Sequence, residues 1–385
     1  MNELLEKEIR GGLSFFKEGM GKNGLVRDRY PRDKDLSSIA SSGFALAAFA
    51  IGAHYHYLEE EEAKRLSLQI IDGAFRLNKE GGFFYHFYDM GSGQQKPFSE
   101  LSDIDSCLFY MGLLVSANYF GGSLAEKAYR LVDEAIWPIW TSASPFLYMG
   151  KRNGRFYSFW QDYAEQLMIY VLAAGVENPD YRLGKAYYDA FARPVGSYDG
   201  LSFIHSAMNG LFVYFFSQNF IDFRHTKDGR GIDWHDNSRK AILADWSFCT
   251  QNYQGSLSYK KGWGLSACDG PDGYCGDYGC QPGMNYKSDG TIAVYCAFAS
   301  LPFAPKESLR AIESYFADGS FLSPYGLIDS FNLDRAWRDD GVIGIDKGIE
   351  LVGISNYLDE FIWGLLAKEK RIVEGLSALK IKKED

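Results

Sequence analysis

Six cysteines in 385 residues are too few for a disulfide framework, and the trio Cys268, Cys275 and Cys280 has neither a Cys-x-x-Cys pair nor a histidine partner for zinc. Reduced thiols and no bound metal are therefore expected. Positive charge is also short, with 40 Lys plus Arg against 50 Asp plus Glu and a net charge of −10. Nucleic acids and anionic membranes select basic faces, so neither is an expected partner. The longest clean apolar run, residues 44–53, falls far below the ~20 residues that span a bilayer. The stretch MNELLEKEIRGGLSFF alternates acids with apolar residues, so no signal peptide is read there and a cytoplasmic location is expected. No G-x-S-x-G elbow, P-loop or H-E-x-x-H helix occurs, and the six histidines are scattered.

Aromatic residues, by contrast, are abundant at 16%, with 26 Tyr, 28 Phe and 8 Trp. Such rings fill a core, and a surplus of them also suits a cleft for flat, half-apolar ligands such as sugars. Apolar residues recur at three- and four-residue steps through about a dozen segments. These are 2–16, 37–58, 59–77, 104–120, 124–137, 162–174, 205–220, 237–251, 291–301, 306–316 and 345–366. No low-complexity linker divides them, so residues 1–385 read as one all-α domain of successive helical hairpins. Long connections at 21–35, 81–101, 141–159, 252–290 and 317–338 are expected to gather at one end and wall a cleft.

Carboxylates cluster where such a cleft would form. Glu100, Asp103 and Asp105 lie at the entrance to an apolar helix, although Ser102-x-x-Asp105 is also close to a capping box. Glu165 heads another apolar stretch beside Trp160 and Tyr163, surroundings that disfavour its charged form and raise its pKa. A neutral acid facing an ionised one is what glycoside hydrolysis requires. The Gly-rich segment from Trp263 to Tyr274 adds Asp269 among rings as a candidate sugar subsite, or simple turn chemistry. Asp233 reads as a helix N-cap with Trp234 above it. Trp160, Trp234 and Trp263 are the expected stacking surfaces.

Several stretches together resemble one family. They are Gly24-Leu25-Val26-Arg27-Asp28-Arg29, Phe84 to Met90, Glu100 to Asp105, Trp160 to Tyr170, Ile221-Asp222-Phe223-Arg224, Asn237-Ser238-Arg239, Trp263 to Tyr274, Asp289 to Ala293 and Tyr325 to Asn332. In order and spacing they are similar to the glucoamylase-like family of bacterial endo-β-1,2-glucanases and cyclic β-1,2-glucan synthase carboxy-terminal domains. The resemblance implies an (α/α)6 barrel with a sugar cleft, and acidic catalysis on β-glucan without metal or organic cofactor. It assigns catalysis to Glu165 with Asp105 or Glu100. Arg29, His86, Asp89, Asp103, Trp160, Tyr163, Trp234, Trp263, Asp269, Tyr274 and Asp289 are then the expected substrate contacts. The chain departs from the pattern at Tyr214, Gln218, Val176-Glu177-Asn178-Pro179 and Leu358, which bears on the sugar subsites more than on the fold. Inverting hydrolysis is the first expectation. The alternatives are a retaining transglycosylase on the same substrate and a non-catalytic glucan-binding protein.

Overall fold

The computed structural model describes residues 2–383, and its longer helices are of two kinds. Ile39–His54, Asp103–Phe120, Leu167–Gly175, Phe212–Phe220, Tyr295–Ala299 and Gly344–Asp359 are buried round most of their circumference. Asn2–Glu18, Glu60–Ala74, Gly122–Asp133, Trp234–Asn252, Pro305–Phe316 and Lys370–Ala378 bury one face. Composition explains the division. IASSGFALAAFAIGAH has no acid or lysine to present to water, so it must be enclosed, whereas EEEAKRLSLQIIDGA has one apolar stripe and a charged remainder.

Two enclosed helices are set by small residues and caps. A Cβ on Gly112 would stand 2.0 Å from the carbonyl oxygen of Gly43, so only glycine lets Ile39–His54 and Asp103–Phe120 approach this closely. Ser38 and Ser102 cap the same two helices, accepting from the backbone N–H of Ser41 and Asp105.

The helix expected over 345–366 is split at Glu360, whose φ of 60° is left-handed, into Gly344–Asp359 and Phe361–Leu366. Apolar residues continue on both sides of the break, which hides it from a periodicity reading. The helices expected over 162–174 and 205–220 begin only at Leu167 and Phe212. Segment 252–290 is not one irregular loop: it holds the helix Leu257–Lys261 and a hairpin of Cys268–Gly270 with Gly273–Cys275. The all-α expectation is therefore corrected to a mainly helical chain carrying small sheets of two or three strands. Those strands run two to five residues, mostly too short for an alternating pattern to register.

Three of the sheets position residues discussed below. Leu36–Ser38 pairs with Phe87–Asp89, Arg29–Tyr30 with Val342–Ile343, and Leu101–Ser102 with Tyr148–Arg152, which continues to Arg155–Phe159. Four of the five long connections contribute to one cavity. The fifth, 317–338, does not, and Ile343, Ile345 and Asp346 line that cavity instead.

Candidate active site

The cavity has a volume of about 650 Å³ and is lined by acids, rings and one histidine. Glu165, Asp105, Glu100, Arg29, His86, Trp160 and Tyr274 all reach it. Glu165 lies on the bend before Leu167–Gly175 rather than within a helix. Its carbonyl accepts from Ser217 Oγ, and the Gln166 amide accepts from Ala164 N–H while donating to the Asp162 carbonyl. The bend is thus pinned from both sides. Burial, with the charge of Asp105 adding to it, raises the Glu165 carboxyl to about 7.

Asp105 lies in the first turn of its helix. Ser102 Oγ accepts from its N–H and donates to its Oδ2 at 2.6 Å, so the capping reading and the cavity reading both hold. Glu100 precedes the strand Leu101–Ser102, with Oε1 3.0 Å from His86 Nδ1 and Oε2 accepting from Arg152 at 3.0 Å. Burial would raise Glu100, but the bonds to His86 and Arg152 outweigh it and hold the carboxyl at about 2. One cavity therefore holds an acid that is neutral up to about pH 7 and another that stays ionised. That is the division of labour acid–base chemistry requires.

Seven expected contacts lie outside the cavity lining. Asp103 is fully buried and accepts from Trp160 Nε1 at 2.8 Å, so it fixes the Trp160 ring from behind. Burial holds its carboxyl well above the usual range, against the pull of that bond. Trp234 is buried, stacked on Tyr163 at 5.1 Å, and donates to Tyr188. Trp263 is buried as well and donates to the Glu307 carbonyl. Those two tryptophans and Tyr163 are core because the segments carrying them fold inward. Asp89 organises its own turn through Ser92 and Lys96. Asp289 pairs with Lys287 and accepts from Thr291. Asp269 is buried against Arg29 and Arg32.

Sequence reading missed Asp28, Asp346 and Tyr157, all of which line the cavity. Asp346 opens an enclosed helix as Gly-Ile-Asp, the pattern by which Ile104-Asp105 opens another, and that parallel was the available signal. Burial and the neighbouring Asp329 raise the Asp346 carboxyl well above its usual range. The exposed rings at the cavity are Tyr157, 38% exposed, and Tyr274, 56% exposed, each on a hairpin. Among the described residues, the one carboxylate trio with metal-like spacing is Asp269, Asp329 and Asp339, its ligand atoms within 4.8 Å of one another. Arg32 donates to both Asp269 and Asp339 at 2.8 Å, so a guanidinium already bridges that trio.

Residues 157–370, more than half of the chain, match the family model described as "Putative glucoamylase". The exo beta-1,2-glucooligosaccharide sophorohydrolase (non-reducing end) of Parabacteroides distasonis is 26% identical across 98% of this chain. The chain spans 58% of the length of that relative. Two solved structures share the fold. The endo-beta-1,2-glucanase of Chitinophaga pinensis has a TM-score of 0.91 and 21% identity over 99% of this chain and 98% of its own. The beta-1,2-glucanase of Parabacteroides distasonis has a TM-score of 0.90 and 22% identity over 98% of this chain and 60% of its own.

Proposed function

The chain belongs to the glucoamylase-like family, and from that premise we propose that it is a glycoside hydrolase cleaving β-1,2-linked glucan or its oligosaccharides. The observation that carries the reading is the pairing, in one cavity, of Glu165 raised to about 7 with the Asp105 and Glu100 carboxylates. Glu165 donates its proton to the glycosidic oxygen as the bond breaks. A second carboxylate from the Glu100–Asp105 segment takes a proton from the attacking water, which gives inversion at the anomeric carbon. The named activities of the relatives supply the linkage. The division of the helices into enclosed and one-sided kinds supports an (α/α)6 barrel formed by the whole chain as one domain.

The test is incubation with β-glucans of defined linkage, followed by product analysis and proton NMR of the first anomer released. Cleavage of β-1,2-glucan with initial α-anomer supports the reading. Turnover confined to another linkage overturns the substrate, and initial β-anomer overturns inversion in favour of transglycosylation by retention.

A further inference from the structure

Both oxygens of Glu100 are already engaged, Oε1 with the His86 ring and Oε2 with Arg152. A carboxylate held 3.0 Å from two cationic groups is a weak base. The other ring nitrogen of His86, Nε2, stands 3.5 Å from Asp105 Oδ1. Arg152, Glu100, His86 and Asp105 thus form a line of alternating basic and acidic groups, the last three on the cavity wall. The line is rigid at its centre. The His86 ring stacks on Phe87 at 3.6 Å, and on the main chain the His86 N–H donates to the Glu100 carbonyl while the His86 carbonyl accepts from the Ile39 N–H. We infer that His86 is a positioning residue: Glu100 orients its ring, its second ring nitrogen holds Asp105 in place, and Asp105 rather than Glu100 acts on the water. The inference rests on the reading of Glu165 as the general acid of a glycosidase.

The charged groups round the line agree with this assignment. Burial alone would lower His86, but Asp105, Glu100 and Asp28 outweigh it and hold the ring at about 9, so it is an imidazolium at neutral pH. Asp103 on the same helix, Glu165 across the cavity and the Tyr157 hydroxyl also feel the Asp105 charge. Removing the imidazolium leaves the negative charge near Glu165 less compensated, so Glu165 keeps its proton to higher pH and the basic limb of the pH profile moves upward.

The experiment combines ring-nitrogen NMR of the full chain with kcat/KM against pH on β-1,2-glucooligosaccharides, for wild type, His86→Gln, Glu100→Gln and Asp105→Asn. The expected results are four. The His86 ring stays charged at pH 8 in wild type and loses that charge at lower pH in Asp105→Asn. His86→Gln moves the basic limb of the profile up. Glu100→Gln loses less turnover than Asp105→Asn, since loss of the catalytic base itself costs on the order of 10²–10⁴. A wild-type ring titrating near its ordinary value overturns the inference, and so does a Glu100→Gln enzyme as slow as Asp105→Asn. An unmoved basic limb in a folded His86→Gln enzyme does the same. If that variant fails to fold, the wild-type titration and Glu100→Gln still decide. A wild type inert on every β-glucan, with His86 charged at pH 8, overturns the functional reading and takes the positioning role with it.

Discussion

Raising the Glu165 carboxyl to about 7 by burial and the Asp105 charge has two consequences of opposite sign. An acid whose folded pKa lies above its unfolded value binds its proton more tightly when folded. It adds stability below the unfolded pKa and loses that contribution as pH climbs towards 7. Glu165→Gln removes the titration. The variant should melt above wild type at pH 8, with the gap closing by pH 5, while turnover falls on the order of 10²–10⁴. Thermal melts at both pH values and an assay on β-1,2-glucooligosaccharides check the two halves separately. Turnover near wild type removes Glu165 from the mechanism, and a pH-independent melting gap means that it is not held neutral. Glu165 was legible because a ring-flanked acid at the head of an apolar stretch is a local pattern. Asp346 was not, since its importance comes from lying on the cavity with Asp329 behind it, an arrangement that exists only after folding. The His86 contacts with Glu100 and Asp105 were hidden for the same reason, as they join three separate segments.

At the scale of elements, the helices were legible and the hairpins were not. A 16-residue helix such as Ile39–His54 carries several turns of pattern, whereas Gly273–Cys275 offers three residues. That difference hid Tyr157, whereas of the expected tryptophans Trp160 alone lines the cavity, beside the expected Tyr274. Tyr157 sits on the hairpin Arg155–Phe159, with the Arg152 guanidinium 5.9 Å from its ring, and Tyr274 has Arg29 at the same distance. Aromatic contacts contribute about 0.5–1.5 kcal/mol beyond area burial. Tyr157→Ala and Tyr274→Ala should each raise KM by roughly two- to tenfold, matching that range, with little change in melting temperature. Trp234→Ala should behave in the reverse manner. Its ring is fully buried and its Nε1–H bonds to Tyr188, so truncation should cost about 3–5 kcal/mol of stability. Michaelis kinetics alongside chemical denaturation distinguish the two classes. A stable Trp234→Ala enzyme with a raised KM would restore the tryptophan to the binding surface.

Across the whole molecule, the two ends of the chain are joined by charge. Glu8 of Asn2–Glu18 and Glu350 of Gly344–Asp359 both pair with Lys347, and all three side chains are no more than 2% exposed. Glu8 also accepts from Leu327 N–H, and Lys347 donates to the Leu327 carbonyl, so the strand Gly326–Leu327 is held in the same knot. A buried ion pair adds little stability over an apolar replacement, but removing one partner strands the other charge in a medium that cannot solvate it. Lys347→Met should therefore cost about 3–5 kcal/mol at pH 7, since two buried carboxyls lose their cation together. The cost should shrink at pH 5, where the Glu350 carboxyl, raised by burial, takes up a proton more readily. The triple replacement Glu8→Gln, Lys347→Met, Glu350→Gln keeps an amide acceptor at the Leu327 contact and removes every charge, so it should recover most of the loss. Because Lys347 adjoins Asp346 on the cavity wall, the single variant should also lose activity in proportion to its loosened helix, and the triple variant should regain it. Urea denaturation of the three proteins at both pH values tests the argument. A triple variant no more stable than Lys347→Met would show that the knot holds the ends together by shape and hydrogen bonding rather than by balanced charge.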